Sequence, residues 1–282
     1  MQEASTTRIT QHPLAFSTLA CPDWSWEHIV QKAVEYGYQG IELRGVEGEM
    51  DLTKSAPFTG SRLATTKREL QERGLAIPCL DTSCRFDQAA ALDGNIDEGK
   101  RHIDLAAVLE ASYIRVFGDR VSDNRSRETI LAQVIAGLNA LAQHAEGTAV
   151  QVLLESHGDF ADLQNMLPVM QAIQHPHVGV LWDVHHPYRF FSEPLAETYN
   201  SLKSYIRHVH LKDSITANDG VRYCLMGQGI IPLAEVLRLL RSGSYAGWLS
   251  FEWEKRWHPE IETPEVALPD FVRVLRAAQH SL

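Results

Sequence analysis

The chain has 282 residues, of which 44% are hydrophobic and 22% are charged, and this composition argues against disordered, collagen-like and coiled-coil proteins. Its formal net charge is −10 and the sequence contains no basic stripe, so we expect no nucleic-acid partner. The N-terminus lacks a cationic start followed by an apolar run, and no apolar run approaches the ~20 residues of a membrane helix. We therefore expect no membrane partner and a cytoplasmic location.

Short apolar runs alternate with longer helical patterns along the chain. The predicted strands are 14–18, 40–44, 76–81, 113–118, 150–155, 178–183, 206–212 and 248–252. The predicted helices are 24–37, 61–74, 94–110, 127–146, 162–174, 192–205, 232–242 and 265–281. Eight strand–helix units predict an α/β fold, a single (β/α)8 TIM barrel that spans residues 1–282 as one domain. A doubly wound sheet is the main alternative, but the first strand is not followed by a glycine-rich turn.

The fifth to eighth predicted strands each end on a polar side chain. These side chains are Glu155, Asp183, His210 and Glu252. Because parallel strands in a barrel present their carboxyl ends to one face, the three carboxylates and the imidazole should converge there. Buried carboxylates a few ångströms apart raise one another's pKa and so favour protonation unless a cation compensates them, and one divalent metal ion is therefore expected. Mn²⁺ is the favoured ion, Mg²⁺ and Co²⁺ also suit these ligands, and Zn²⁺ stays open.

Several segments together carry a family resemblance. They are 22–44, VLLESHGDF (152–160), VGVLWDVHHP (178–187), IRHVHLKDS (206–214) and GWLSFEWE (247–254). Through them the chain resembles the sugar phosphate isomerase/epimerase family, which has the xylose isomerase-like TIM barrel. The resemblance implies Glu155, Asp183, His210 and Glu252 as ligands of the metal ion. It also implies that His186 contacts a substrate hydroxyl and that Glu155 and Glu252 serve as catalytic acid and base.

Other side chains near the strand ends are candidates for binding the substrate. They are Glu42, Arg115, His157, Lys212 and Trp257. Each has a structural alternative, since a charge inside a barrel requires a partner and a loop aromatic often only packs. Glu254 competes with Glu252 as a ligand, and a position beyond the strand end makes Glu254 the second choice.

The expected chemistry is removal of a proton next to the carbonyl of a ketose or keto-sugar, which gives an enediolate. Reprotonation then gives epimerisation or isomerisation, whereas loss of a β-hydroxyl makes the protein a lyase. Inosose dehydratase-like or keto-glycoside-eliminating activity is the alternative function, and a non-catalytic sugar-binding barrel is a further one. The expected partner is a small sugar, for which we favour a non-phosphorylated form because the sequence has no obvious cationic phosphate pocket. A homo-oligomer stays open.

Two features limit the choice within this fold. The related epimerases carry an arginine soon after the seventh-strand histidine, whereas this chain has SITAND after His210-Leu-Lys-Asp, which argues against a ketohexose. A trinuclear zinc endonuclease with the same barrel would need histidines after the second and third strands, where ELRGVEG and DTSCRF stand instead.

Overall fold

The computed structural model of the protein describes residues 11–121, 125–217 and 220–281. Residues 1–10, on which the expectation of no cationic leader partly rests, lie outside the described residues. The strands are β1 Leu14–Ser17, β2 Gly40–Glu42, β3 Cys79–Arg85, β4 Tyr113–Phe117, β5 Gln151–Glu155, β6 Val178–Asp183, β7 Ile206–Leu211, β8 Asp213–Ala217, β9 Gly220–Cys224 and β10 Leu249–Phe251. The helices are α1 Trp26–Tyr36, α2 Arg62–Glu72, α3 Leu92–Leu109, α4 Arg127–Ala145, α5 Leu163–Ala172, α6 His185–Phe190, α7 Leu195–Leu202, α8 Leu233–Ser242 and α9 Pro264–His280.

Eight of the described strands form one parallel sheet that curls into a barrel. Their order is β2-β1-β10-β7-β6-β5-β4-β3. Isolated parallel pairs, Gly40 with Ala76 and Leu43 with Leu80, bridge β2 and β3 and so nearly close the ring. The predicted TIM barrel is confirmed, and the carboxyl ends of all eight strands meet on one face.

The structure corrects the prediction in three places. The third strand lies at Cys79–Arg85 instead of 76–81, with an irregular register between Asp81 and Arg85. The predicted helix 192–205 is the shorter α7, and the six-residue helix α6 precedes it. The loop expected after the seventh strand instead contains the antiparallel pair β8 and β9. Each change lies on the carboxyl-end face, where chain irregularities reposition side chains.

Alternating strand residues separate an apolar shell from a charged interior. Trp182 packs on Tyr199 of α7, and Phe251 stacks on Phe271 of α9 at 4.4 Å between ring centres. The neighbouring positions, which point the other way, include Asp183 and Glu252. Apolar burial between strands and helices therefore stabilises the barrel, and the interior near its carboxyl-end face is left to polar groups. Among the described residues, no helix combines the length and the apolar character that crossing a bilayer requires.

Candidate metal centre and active site

The structure brings together the four side chains predicted to bind a metal. Glu155 ends β5, Asp183 ends β6, His210 lies in β7 and Glu252 follows β10. All four are buried, and one ligand atom from each lies within 4.8 Å of the others. We call these side chains the four-residue cluster. Ligand atoms about 2.1 Å from a common ion lie roughly 3–4 Å apart, so the cluster has the dimensions of a divalent metal site.

The polar atoms of the four-residue cluster also meet the chemical test for a cation. Glu155 Oε1 and Oε2, Asp183 Oδ2 and His210 Nδ1 are buried and form no hydrogen bond of good geometry among the described residues. Two of them have a cationic neighbour instead, since Arg115 Nε lies 3.0 Å from Glu155 Oε2 and Lys212 Nζ lies 2.7 Å from Asp183 Oδ2. Buried polar atoms are normally satisfied, and a group of unsatisfied acceptors facing one another calls for a positive ion. The three carboxylates and one imidazole therefore fit a hard or borderline divalent ion.

His210 is oriented from below by a second carboxylate. Its Nε2 lies 2.5 Å from Glu42 Oε1, while Glu42 Oε2 lies 2.8 Å from His208 Nε2. Glu42 and His208 are both fully buried. A carboxylate on one ring nitrogen fixes the imidazole and leaves the other nitrogen to bind a metal. His210 Nδ1, which lies 3.6 Å from Glu155 and 3.4 Å from Glu252, is the nitrogen left in the cluster.

The backbone holds Asp183 through one of its two carboxylate oxygens. Oδ1 accepts hydrogen bonds from the backbone amides of His185, at 2.8 Å, and His186, at 3.1 Å, at the start of α6. Ser156 fixes the main chain of Asp183 by accepting from its amide at 2.8 Å. Asp183 Oδ2 consequently points into the cluster. Burial raises the pKa of Asp183 to about 6, and the neighbouring Lys212 limits the rise.

Lys212 is a buried ammonium group among three carboxylates. Its Nζ lies 2.7 Å from Asp183 Oδ2 and 2.8 Å from Glu254 Oε1, and it also contacts Glu252 Oε2. Burial would raise the pKa of Glu252, but Lys212 and His210 hold it well below its usual value. Glu254 reaches the site through Lys212 and lies outside the four-residue cluster.

Arg115, the only arginine of β4, connects the cluster to the third strand. Its Nε lies 3.0 Å from Glu155 Oε2 and 3.4 Å from Asp81 Oδ1, and one of its amino groups donates to the carbonyl of Thr82. Burial would raise the pKa of Glu155, but Arg115 lowers it below its usual value. The networked ion pair considered as the alternative for Arg115 is therefore present.

A cavity of about 260 Å³ opens above the cluster. It is lined by Leu19, Arg44, Arg85, Arg115, Phe117, Asp119, Glu155, His157, Glu252, Glu254 and Trp257. Trp257 is half exposed at its mouth, and His157 packs between Phe117 and His186 with ring centres 4.7 and 4.5 Å away. His186 Nε2 is 3.7 Å from Asp183 Oδ2. The predicted contacts Arg115, His157 and Trp257 therefore line the cavity, whereas Glu42 lies beneath it.

Sequence reasoning did not find three polar residues of this region. Asp81 is the last residue of the predicted third strand, 76–81, and so showed the same strand-end pattern as the cluster, whereas in the structure it lies inside β3. Arg44 and Arg85 also line the cavity, and the signal was a charged residue near a strand end, since Arg44 ends the predicted second strand and Arg85 ends the observed β3. The side of the barrel mouth on which Arg44 and Arg85 lie depends on how β2 and β3 pair, and the sequence pattern does not predict it.

Comparisons with known proteins give one family and several relatives. A family model described as xylose isomerase-like TIM barrel matches residues 30–277. A fructoselysine 3-epimerase of Shigella flexneri is 23% identical over 242 residues, which cover 80% of this chain and 84% of that protein. A 3-dehydroshikimate dehydratase of Bacillus anthracis is 25% identical over 203 residues, which cover 69% and 68%. A xylose isomerase-like TIM barrel protein from Mycobacterium smegmatis, solved in complex with magnesium, superposes with a TM-score of 0.71 at 17% identity and covers 96% of this chain and 97% of that one.

Proposed function

The chain belongs to the xylose isomerase-like TIM-barrel family, and from that premise we propose that it is a divalent-metal-dependent isomerase or epimerase acting on a ketose or keto-sugar. The observation that carries this proposal is the convergence of the four-residue cluster within 4.8 Å beneath a cavity. The epimerase relative supports a sugar substrate, and the magnesium-bound neighbour supports a divalent ion.

Glu155, Asp183, His210 and Glu252 would hold the ion, for which we favour Mn²⁺. When bound, such an ion polarises a substrate carbonyl and stabilises the negative charge of an enediolate. Asp183 and His210 have fixed orientations, through the start of α6 and through Glu42, and so serve only to bind.

Glu155 and Glu252 are the groups we assign to proton transfer. They lie on either side of His210, and Arg115 lowers the pKa of Glu155 while Lys212 lowers the pKa of Glu252, which favours the ionised form that a base requires. One carboxylate removes the proton from the carbon next to the carbonyl, and the electron pair of that C–H bond moves toward the carbonyl oxygen. The other carboxyl group, after it has taken up a proton from solvent, donates that proton to the opposite face of the same carbon. The electron pair returns from the oxygen to form the new C–H bond, and the configuration is inverted. Return of the proton to the former carbonyl carbon gives isomerisation.

The other candidate residues in the cavity and beside the cluster are assigned to substrate binding. His157, His186 and Lys212 offer polar atoms near the cluster, and we assign them to substrate hydroxyls. Trp257, together with Leu19 and Phe117, offers an apolar surface for a sugar face and limits the access of water. Glu42 was predicted from the sequence to contact a sugar hydroxyl. In the structure both of its carboxylate oxygens already have histidine partners, so we do not include it among the substrate-binding residues.

Dehydration is the second candidate function, and the dehydratase relative is the observation that favours it. The same proton abstraction followed by departure of a β-hydroxyl as water would give an unsaturated product. The two reactions differ in outcome, because an epimerase returns a substrate of unchanged mass and a dehydratase releases one water.

Hydrogen exchange in D₂O tests both candidates. The protein, loaded with Mn²⁺, is incubated with a panel of ketoses, keto-glycosides and keto-inositols, and each compound is followed by NMR and mass spectrometry. We expect deuterium at the carbon next to the carbonyl of at least one compound, no incorporation after EDTA treatment, and recovery with Mn²⁺. Exchange that persists in EDTA would contradict the proposed dependence on a metal ion. Binding of a sugar with no exchange, unchanged in Glu155→Gln, would instead indicate a non-catalytic sugar-binding barrel.

A further inference from the structure

The cavity has a cationic side that the proposed mechanism does not use. Its wall there consists of Arg44, which follows β2 two residues after its end, and Arg85, the last residue of β3. β2 and β3 are neighbours in the barrel, so both arginines lie on one side of its mouth. The chain as a whole has a formal charge of −10, and two arginines at one corner of the cavity therefore run against the overall charge.

Arg44 has an unused hydrogen-bonding group in this position. One amino group donates to Ser83 Oγ at 3.1 Å, whereas Nη1 is buried and has no partner in the part of the chain that the structure describes. The guanidinium also forms no ion pair within 4.0 Å of a carboxylate in the described ranges. Burial, with Arg115 nearby, lowers the pKa of Arg44 to about 10. Arg44 is partly buried, and although Asp81, Glu98 and Glu252 partly offset the lowering of its pKa, none of them forms a direct ion pair with it. A partly buried guanidinium without a direct ion pair is costly, and an anion that enters the cavity would reduce that cost.

The other cations of the site, unlike Arg44, are paired with carboxylates. Arg115 lies against Asp81 and Glu155, and although burial alone would lower its pKa, these carboxylates raise it. Lys212 contacts three carboxylates. Arg85 pairs with Asp119 at 2.9 Å and is half exposed. Among the described residues that line the cavity, Arg44 is thus the cation that has no direct ion pair and can offer one to a ligand.

We propose that Arg44, assisted by Arg85, binds a carboxylate of the substrate at the end of the cavity away from the four-residue cluster. This inference rests on the proposed function and narrows it, because the substrate class becomes keto-sugar acids and not neutral ketoses. Arginine suits the role because its planar group binds a carboxylate through two parallel hydrogen bonds.

The charge of the cavity wall favours a carboxylate over a phosphate. Asp119 and Glu254 line the same cavity, and Asp119 already shares the charge of Arg85. At the corner formed by Arg44 and Arg85, about one unit of positive charge remains once Asp119 is counted, which matches a monoanion. A phosphate monoester would bring up to two negative charges close to Asp119 and Glu254.

Matched ketoses test the proposal. D-fructose and D-fructuronate differ only in a terminal hydroxymethyl or carboxylate group, as do D-tagatose and D-tagaturonate, and D-fructose 6-phosphate supplies the phosphate. Dissociation constants are measured by calorimetry on the full chain with Mn²⁺ present. We expect each acid to bind at least about tenfold more tightly than its neutral counterpart and more tightly than the phosphate, since hydrogen bonds to a charged group exceed one factor of ten.

Two variants and one control assign the effect to these arginines. Arg44→Gln should reduce the affinity for the acids about tenfold and leave the neutral ketoses within about twofold, and Arg44→Lys should recover part of the loss. Arg85→Gln should also reduce the affinity for the acids, because the charge of Asp119 would then be uncompensated and would repel the substrate carboxylate. This variant tests the proposal if Arg44→Gln does not fold. Arg68→Gln on α2 makes the same change in net charge outside the cavity and should have no effect.

The result separates this inference from the proposed function. Equal affinity for acid and neutral ketose, tighter binding of the phosphate, or an unchanged preference in both arginine variants overturns the carboxylate site. If exchange in D₂O proceeds equally with neutral and acidic ketoses, the proposed function stands and the carboxylate site falls. If the acids bind through Arg44 but no compound exchanges, the carboxylate site stands and the proposed function falls.

Discussion

Two buried aspartates on the same rim of the barrel show how differently a fold treats a carboxylate. Asp213 accepts four backbone hydrogen bonds of 2.9–3.0 Å, from Ser214 and Ile231 to Oδ1 and from Gly227 and Gly229 to Oδ2. Asp183 has two such bonds, both to Oδ1. Its Oδ2 lies near Lys212 and the four-residue cluster. The first carboxylate organises its own loop, whereas the second keeps one oxygen for a ligand.

The loop around Asp213 packs closely enough for four of its backbone amides to reach the carboxylate. A Cβ on Gly229 would lie 2.2 Å from Asp213 Oδ1, so only glycine allows the backbone to approach so closely. Fixed backbone dipoles compensate the buried charge without any mobile group. The comparison therefore predicts that Asp213 serves stability and that Asp183 serves function.

The largest expected effect is on catalysis, in Asp183→Asn. The asparagine oxygen can still accept from the amides of His185 and His186, so the fold should persist, but one charged ligand is lost. We expect kcat/KM for exchange of the best substrate in D₂O to fall on the order of 10³-fold. Thermal unfolding in EDTA should stay within about 3 °C of the parent. Activity near the parent level would show that Asp183 is not required for function and would contradict this half of the comparison.

The next effect is on stability, in Asp213→Ala. Four backbone amides lose their acceptor, and we expect the free energy of unfolding to fall by about 4 kcal/mol and the melting temperature by on the order of 10 °C. Denaturant titration and calorimetry measure both. Asp213→Asn retains one acceptor oxygen and should lose less. A melting temperature unchanged in Asp213→Ala would show that the loop does not depend on this carboxylate.

Metal titration sharpens the contrast. Addition of Mn²⁺ at 100 times its dissociation constant should stabilise the metal-free protein by about 2.7 kcal/mol. The gain, followed as a rise in melting temperature, should disappear in Asp183→Asn and persist in Asp213→Asn. An equal rise in both variants would place the ion elsewhere.

The smallest expected effect concerns Glu42, which supports the cluster from beneath. Glu42→Gln removes the charge that orients His210, and we expect the affinity for Mn²⁺ to fall about tenfold. Electron paramagnetic resonance of free Mn²⁺ measures this without substrate. Glu254→Gln, which changes a carboxylate outside the cluster, provides the control and should change the affinity by less than a factor of about three. Unchanged affinity in Glu42→Gln would mean that the barrel holds His210 by packing alone.

Strand and helix periodicity was sufficient to predict the barrel, because eight apolar runs alternate with amphipathic segments. The convergence of Glu155, Asp183, His210 and Glu252 was also predictable, since topology brings all parallel strand ends to one face. The antiparallel pair of β8 and β9 was missed, although the Asn-Asp-Gly sequence that ends at Gly220, the first residue of β9, has a composition typical of turns.

Partnerships across the barrel were beyond local patterns. The contact of Glu42 with His208 and His210 joins residues more than 160 positions apart, and the approach of Lys212 to Asp183 requires the register of β6 and β7. Arg44 and Arg85 reach one cavity only because β2 and β3 are neighbours and β3 shifts register before Arg85. Such features follow from strand register and not from sequence spacing.

The position of Lys212 has a consequence for the maturation of the protein. Its ammonium group already neutralises carboxylates of the rim, so the chain can complete its folding before any ion arrives. Proteins whose folding requires the metal acquire it during folding, whereas a barrel of this kind would acquire it afterwards. The identity of the ion would then follow the supply of free ions in the cell, and one ion could be exchanged for another without unfolding.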